Sequence, residues 1–241
     1  MDATEAITTQ SSTIEEWTRA LEEATGSPGG GAGAGVMLGI AASLISMVAG
    51  YTTVDEPERA ELGRIRLHAQ SLRKTALRLA DADAAASRAF GAAFRQEPGP
   101  ERDAAIARAS VEAAKASAVL GQHAQQAIEP LAWLAVNGNP ALIADVVVAF
   151  GALRATAAGA RTNVSYDLAA LTSGGNTLDQ VREQHPVLWK TVGDFNTALD
   201  RIDVLTSEID HRAAPTDGVE CNGQHRASSH RQTRVTDKTD S

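Results

Sequence analysis

The longest stretch without a charged residue covers residues 27–51 and lies between Glu23 and Asp55. It opens with a proline and three glycines, and apolar residues then occupy nearly every side of a helical period. Glycine, alanine and serine recur along one stripe of that helix, which lets a neighbouring backbone come close. Such a helix is typical of the buried centre of a helical protein or of a membrane span.

Amphipathic patterns flank this stretch. Two overlapping capping boxes begin a first helix near Thr13, and Gly26 is placed to end it. A long third helix keeps apolar or small residues at alternating three- and four-residue spacing for about four heptads. These positions are Leu62, Ile65, Ala69, Leu72, Ala76, Leu79, Ala86, Phe90 and Ala93.

Proline and asparagine mark the later boundaries. Pro130 should interrupt a fourth helix, and Asn139, which a proline follows, begins a fifth. No stretch shows the alternation of a strand. The sequence therefore predicts an all-α fold, a single-domain bundle of five or six long helices around the buried Gly/Ala-rich helix. We expect the domain to span residues 12–212, with residues 1–11 and 213–241 disordered.

Composition and charge narrow the class of protein. Aromatic residues make up 4% of the 241 residues, which favours closely packed helices over a sheet. The net charge of −8 argues against a nucleic-acid partner. A single cysteine, Cys221, excludes a disulfide framework within one chain. No secretory signal is visible at the N-terminus, so we expect a cytoplasmic protein.

The glycine-rich opening admits three interpretations. Gly29, Gly31 and Ala34 fit a loose dinucleotide-binding fingerprint, but that motif follows a strand and the preceding segment here has helical spacing. A membrane span has the right length, but acidic residues rather than Lys or Arg flank it. We therefore favour a soluble, homodimeric helical protein without a membrane partner. The free N–H groups at the helix start suit an anion or a polar ligand atom.

Three polar residues lie on otherwise apolar or small helix faces. Asp83 interrupts the seam of the third helix, and Asp145 and Asn163 end a stripe of small residues on the fifth. Inward carboxylates serve acid–base catalysis, or they bridge helices through hydrogen bonds or an arginine. Asp81 lies off the seam, and we expect it to be a solvated surface acid. The sequence shows no metal-ligand spacing.

Several motifs, in order, resemble the formiminotetrahydrofolate cyclodeaminase and methenyltetrahydrofolate cyclohydrolase family over residues 14–168. They are PGGG, SMVAGYT, the region of Asp83, GNP followed by Asp145, and TNV ending at Val164. The resemblance implies an enzyme for one-carbon units, with no metal and no cofactor beyond the tetrahydrofolate that carries the substrate. It would hydrolyse 5,10-methenyltetrahydrofolate, or cyclise 5-formiminotetrahydrofolate and expel ammonia.

The resemblance also implies roles for individual residues. Asp83 would move a proton, Asp145 would orient water or a pterin nitrogen, and Asn163 would complete the pocket. The loop at the helix start would hold a polar part of the folate. The loop residues are Ser27, Pro28, Gly29, Gly30 and Gly31.

Three departures from the family pattern leave a second function open. Residues 52–61 contain no lysine, where family members commonly have a Gly- and Lys-rich segment. Ala144 stands where a serine is usual, and Ser87 stands where an aromatic residue is usual. The alternative is a family member that acts on another substrate, or a non-catalytic helical scaffold that forms oligomers.

Overall fold

The computed structural model describes residues 7–24 and 26–213, and it confirms the all-α prediction. Those residues form no strand. The helices are α1 (Ile14–Glu22), α2 (Gly30–Tyr51), α3 (Glu56–Phe94), α4 (Pro100–Gln126), α5 (Ile128–Asn137), α6 (Ile143–Ala170), α7 (Leu178–Gln184) and α8 (Pro186–Ala213). The long ones are α2, α3, α4, α6 and α8. Residues 1–6 and 214–241, for which we expect disorder, lie outside the described residues.

The charge-free stretch forms α2, with α3 and α6 packed along two of its sides. Small residues allow the close approach that their spacing predicts. A Cβ on Gly35 would lie only 2.7 Å from the Cβ of Ala80 on α3. On the other side, the hydroxyl of Thr156 in α6 donates a hydrogen bond to the carbonyl oxygen of Ala34 at 3.1 Å. A remaining side of α2 is exposed, which an all-round apolar pattern does not predict.

The other long helices complete an up-and-down bundle. α4 packs on α3 and α6, and α8 packs on α6 and α4. Arg154 of α6 donates two hydrogen bonds to the carboxylate of Asp203 on α8, at 2.6 and 3.0 Å. Gly121 of α4 leaves room for the buried ring of Phe195, which a Cβ at that position would strike.

Capping residues and proline set several of the helix boundaries. Thr13 and Glu16 form the predicted capping box of α1, although α1 ends before Gly26. The predicted fourth helix is divided, as Pro130 indicates, because α4 gives way to α5 at Ala127. Pro130 explains the division, since its ring displaces the carbonyl four residues earlier and it has no N–H to bond to that carbonyl.

The prediction of disorder is wrong for residues 7–11, and Asp81 is not a free surface acid. The carboxylate of Asp81 accepts hydrogen bonds from the backbone N–H of Thr9 at 2.6 Å and from the side-chain amide of Gln10 at 3.0 Å. The indole N–H of Trp17 donates to the hydroxyl of Thr9 at 3.1 Å. Because Asp81 lies off the seam, it faces this N-terminal segment instead of the core.

The structure also separates the interpretations of the glycine-rich opening. The residues before it form α1 rather than a strand, which excludes the dinucleotide-binding motif. α2 and the segment Pro140–Ala170 are long and apolar enough to cross a membrane. Within α2, however, 56% of the most apolar window is buried inside the bundle, as in the core helix of a globular protein.

Candidate active site

The carboxylate of Asp83 lies at the start of α2. It accepts a hydrogen bond from the backbone N–H of Ala32, in the first turn. Gly29, the N-cap residue, has no side chain that could accept a hydrogen bond from the first turn of α2. A carboxylate from α3 therefore takes the place of the capping side chain. A Cβ on Gly31 would lie 2.5 Å from the carboxyl carbon of Asp83, so only glycine leaves room for this contact.

Asp83 is buried, with 9% of its surface exposed, as its position on the α3 seam predicts. Burial raises the pKa of Asp83 above its ordinary value, because the charged form loses hydration. The hydrogen bond from Ala32 acts in the opposite direction and offsets this effect only in part. The positive end of the α2 dipole adds a further attraction for the carboxylate.

A second carboxylate, that of Asp167 on α6, belongs to the same site. Burial raises the pKa of Asp167 to about 6, and the negative charge of Asp83 contributes to the increase. The two carboxylates therefore interact, and that of Asp167 exchanges its proton close to neutral pH. Asp167 was not predicted from the sequence. One signal was available, because Asp167 follows Asn163 by one helical turn and so extends the same stripe.

Asn163 is half-buried at the same end of the bundle. α6 runs antiparallel to α2, and a Cβ on Gly159 would lie 3.4 Å from the Cβ of Ala34. The next turn of α6 carries Asn163, so it reaches the level of the first turn of α2. Asn163 thus lies at the same end of the bundle as Asp83 and Asp167, and its role in the pocket stays a prediction.

Asp145 does not belong to this site, which corrects the prediction that it acts together with Asp83. It lies in the first turn of α6, about six turns and roughly 33 Å from Asp167 along the helix. That end of α6 adjoins the opposite end of α2, where the N–H of Asn139 bonds to the Thr52 hydroxyl at 3.0 Å. Residue types and spacing had identified an inward acid, but they do not show at which end of the bundle it lies.

The loop before α2 is tied to α3 through Ser27. Its hydroxyl donates to the carbonyl oxygen of Ala84 at 2.9 Å and accepts a hydrogen bond from the guanidinium of Arg88 at 3.0 Å. This serine therefore holds the loop beside Asp83. Gly30 and Gly31 follow as the first residues of α2, and their N–H groups belong to the first helical turn.

A cavity of about 470 Å³ opens on the α1 side of the loop. Asp83 and Asp167 are not among the residues that line it. Its lining combines an aromatic residue, small apolar residues, both acidic and basic groups, and hydroxyls. These residues are Ile7, Thr8, Thr9, Trp17, Ala20, Glu23, Ser27, Pro28, Asp81, Ala84 and Arg88.

The described residues include no group of three or more His, Cys, Asp or Glu side chains placed to hold a metal ion. What the site does offer is a pair of carboxylates with raised pKa values, an amide and the N-terminus of a helix. These groups can give and take protons and orient a polar ligand. General acid–base catalysis uses groups of this kind.

Comparison with known proteins identifies the family and the fold of this chain. The family model of formiminotransferase-cyclodeaminase matches residues 13–184, more than two thirds of the chain. No curated protein matches significantly. The crystal structure of formiminotetrahydrofolate cyclodeaminase from Thermotoga maritima is 20% identical, and the match covers 84% of this chain and 96% of that one. Its TM-score of 0.70 indicates the same fold. This chain belongs to the formiminotransferase-cyclodeaminase family.

Proposed function

We propose that this chain is a folate one-carbon enzyme that closes the ring of 5-formiminotetrahydrofolate, giving 5,10-methenyltetrahydrofolate and ammonia. Family membership supports the substrate class. The pairing of Asp83 with Asp167 supports the chemistry, because a carboxyl with a pKa of about 6 can act as both acid and base near neutral pH. Asp167 takes the proton-transfer role that the sequence analysis gave to Asp83, and it replaces Asp145 as the second acid.

The reaction exchanges one carbon–nitrogen bond for another. Protonated Asp167 gives its proton to the imino nitrogen of the formimino group, and N10 then attacks the formimino carbon. The Asp167 carboxylate takes the proton that N10 carried and passes it to the departing nitrogen. The carbon–nitrogen bond breaks, ammonia leaves, and the lone pair of N5 completes the methenyl bridge. One proton is consumed in each turnover, and the tetrahydrofolate itself is the only carrier required.

In this scheme Asp83 acts through its charge beside Asp167, and Asp167 transfers the protons. Held by the N–H of Ala32 at the start of α2, it keeps a negative charge beside Asp167 and so keeps the pKa of Asp167 raised. The same charge favours the cationic amidine through which the substrate passes. Asn163 orients a pterin nitrogen or oxygen, and the loop at Ser27 positions the rest of the ligand.

The cavity beside the loop suits the remainder of a folate. Trp17 and Ala84 offer apolar surface to an aromatic ring, and the guanidinium of Arg88 offers a cation to a carboxylate. Arg88 thus supplies a positive charge in place of the lysines that the segment after α2 lacks. This assignment is part of the proposal and predicts that the ligand lies across the loop, with its reactive end toward Asp83.

The test is a turnover and thermal-shift screen on the full chain. We expect methenyl absorbance to appear with 5-formiminotetrahydrofolate, and the Asp83→Asn variant to be slower. Consumption of 5,10-methenyltetrahydrofolate faster than the formimino reaction would assign the chain as the hydrolase instead. If no reduced folate is turned over and none stabilises the protein, the proposal is contradicted and the scaffold is favoured.

A further inference from the structure

α3 continues for almost three turns beyond the point where α2 begins. Gly31, in the first turn of α2, lies against Asp83, so α3 extends past the start of α2 after Ala84. Phe90 and Phe94 follow Asp83 by seven and eleven residues and therefore lie on the same face of α3. The carboxylate of Asp83 thus lies at one end of a helix face that goes on to carry two aromatic rings.

The ring of Phe94 is held by two neighbours and is still accessible. Its centroid lies 4.8 Å from that of the Phe90 ring, and the guanidinium carbon of Arg102 lies 5.9 Å from it. Even so, 44% of the surface of Phe94 is exposed. An aromatic side chain that is both positioned and exposed offers a surface on which a planar ligand can stack.

A cavity of about 370 Å³ lies beside this ring, between α3, α4 and the end of α6. We call it the α4 cavity. At the end of α6, Ala170 and Leu171 line it, and they follow Asp167 by three and four residues, so they continue the face that carries Asp167. It shares no lining residue with the cavity on the α1 side of the loop. The α4 cavity therefore begins one helical turn beyond the carboxylate pair.

The lining of the α4 cavity is apolar except for Asp103 of α4 and Asn176. Among the described residues, Asp103 forms no ion pair. The side-chain amide of Asn176 donates to the carbonyl oxygen of Leu171 at 3.2 Å, which leaves its own oxygen able to accept. A carboxylate and an amide oxygen in an apolar cavity select a ligand whose edge carries N–H donors.

The heights of these groups along the bundle follow from the contacts of α2. Asn163 is level with the first turn of α2 and hence with Asp83, so Asp167 lies about 6 Å further along. α3 and α6 run in the same direction, since both are antiparallel to α2. Phe94, with Asp103 across the cavity, therefore lies roughly 10 Å beyond Asp167. A bicyclic ring that touches Asp167 at one end reaches that level with the other.

We propose that the α4 cavity holds the pterin ring of the ligand, stacked on Phe94, with its amino-pyrimidinone edge on Asp103. This inference rests on the proposed function and assigns the position of the ring. The amino group and the neighbouring ring N–H of a pterin point the same way, so they donate two parallel hydrogen bonds to one carboxylate. The other ring, which carries N5, then faces Asp167. The benzoylglutamate part is left to cross the loop toward Arg88.

Guanine carries the same pair of donors, so a guanine nucleotide is the other source of this chemistry. A nucleotide would bring its phosphates close to three acids, namely Asp83, Asp103 and Asp167, and like charges repel. A tetrahydropterin carries no phosphate. The electrostatics of the site therefore favour the pterin.

The first experiment measures binding of 6-methyltetrahydropterin to the full chain by isothermal titration calorimetry. We expect the wild type to bind it and Asp103→Asn to raise the dissociation constant about 10-fold or more, because the hydrogen bonds to a charged acceptor are lost. Glu101→Gln is the matched control, since Glu101 is also an exposed acid in the first turn of α4 but does not line the cavity. It should bind like the wild type.

Three results of this titration would overturn the proposal. They are a wild type that does not bind the tetrahydropterin, an Asp103→Asn variant that binds it as tightly as Glu101→Gln does, and tighter binding of guanosine monophosphate than of the tetrahydropterin. Circular dichroism of each variant establishes that the bundle is folded.

The second experiment tests the stacking and the direction of the ligand. Phe94→Leu should weaken tetrahydropterin binding by about a few-fold, whereas Phe94→Tyr, which keeps the ring, should not. The other half of the ligand, p-aminobenzoylglutamate, should bind Asp103→Asn as it binds the wild type and should bind Arg88→Ala more weakly. Equal affinity of the Leu and Tyr variants for the tetrahydropterin would contradict the stacking. Loss of p-aminobenzoylglutamate binding in Asp103→Asn would reverse the direction.

Turnover measurements separate this inference from the proposed function. With 5-formiminotetrahydrofolate, Asp103→Asn should raise KM about 10-fold while kcat stays within a few-fold of wild type. Tetrahydropterin binding that depends on Asp103, without any turnover of the formimino substrate, would refute the reaction and keep the cavity assignment. Turnover with wild-type KM in both Asp103→Asn and Phe94→Leu would keep the reaction and refute the cavity assignment.

Discussion

The carboxylate of Asp83 occupies the space in which a side chain on Gly31 would begin. Its carboxyl carbon lies 2.5 Å from the position of that missing Cβ, and the carboxylate bonds to the N–H of the next residue. The opening glycines of α2 therefore admit an acid from a neighbouring helix. Burial and the hydrogen bond at the helix start both act on the pKa of this acid. The apolar helix α2 therefore forms part of the candidate active site.

Gly31→Ala should destabilise the protein. The added methyl group must displace a buried carboxylate from its hydrogen bond, which we expect to cost about 1–3 kcal/mol in the free energy of unfolding. Gly33→Ala is the control, because nothing lies within 4 Å of a Cβ there and alanine favours the helix. Urea denaturation compares the two. Equal midpoints for the two variants would mean that Asp83 does not occupy this space.

Asp167 should make stability depend on pH in a defined direction. Its pKa is about 6 in the folded protein and near 3.8 when unfolded, so folding favours the protonated form. Stability from this group is present below about pH 4 and is lost as the pH rises toward 6. Asp167→Asn should therefore be more stable than wild type at pH 7.5, by about 1–2 kcal/mol after solvent screening. At pH 4 the difference should disappear.

That pH dependence is measured by thermal denaturation across pH 4 to 8. Asp194→Asn serves as a control, since Asp194 forms an exposed pair with Lys190 in α8. This control should show no gain in stability at pH 7.5. If Asp167→Asn is less stable than wild type at every pH, then Asp167 carries its charge in the folded protein and the account of the pair is wrong.

Removing the charge of Asp83 should lower the pKa of Asp167. The negative charge of Asp83 is one of the two causes that raise the Asp167 value, and burial is the larger. Asp83→Asn keeps the size of the side chain but removes that charge, so the pKa of Asp167 should fall while remaining above 3.8. Carboxyl-carbon NMR titration reads this value directly. An unchanged pKa would show that the two side chains do not interact.

Local chemistry made much of the fold predictable. Thr13 starts α1 through its capping box, Pro130 divides a long helix, and the spacing of Gly35 identifies a close contact. These features depend on neighbours within a few residues or on one helix face. Asp83 was identified for the same reason, because a single acid on a regular apolar seam must face inward.

The remaining site residues depend on how the helices are aligned. Asp145 and Asp167 lie on the same helix, and sequence spacing cannot show which of them reaches the start of α2. The antiparallel course of α6 decides this, because it places the C-terminal turns of α6 beside the glycines. Asp81 was misjudged for a similar reason. Its partners, Thr9 and Gln10, come from a segment that has no periodic pattern of its own.

The most direct test compares kcat/KM of Asp167→Asn and Asp145→Asn with 5-formiminotetrahydrofolate. Both substitutions replace a half-buried acid of α6 with its amide, and the two positions lie roughly 33 Å apart. We expect Asp167→Asn to lose about 100-fold or more and Asp145→Asn to stay within a few-fold of wild type. A full-rate Asp167→Asn variant beside an inactive Asp145→Asn variant would place the active site at the other end of the bundle and contradict the account.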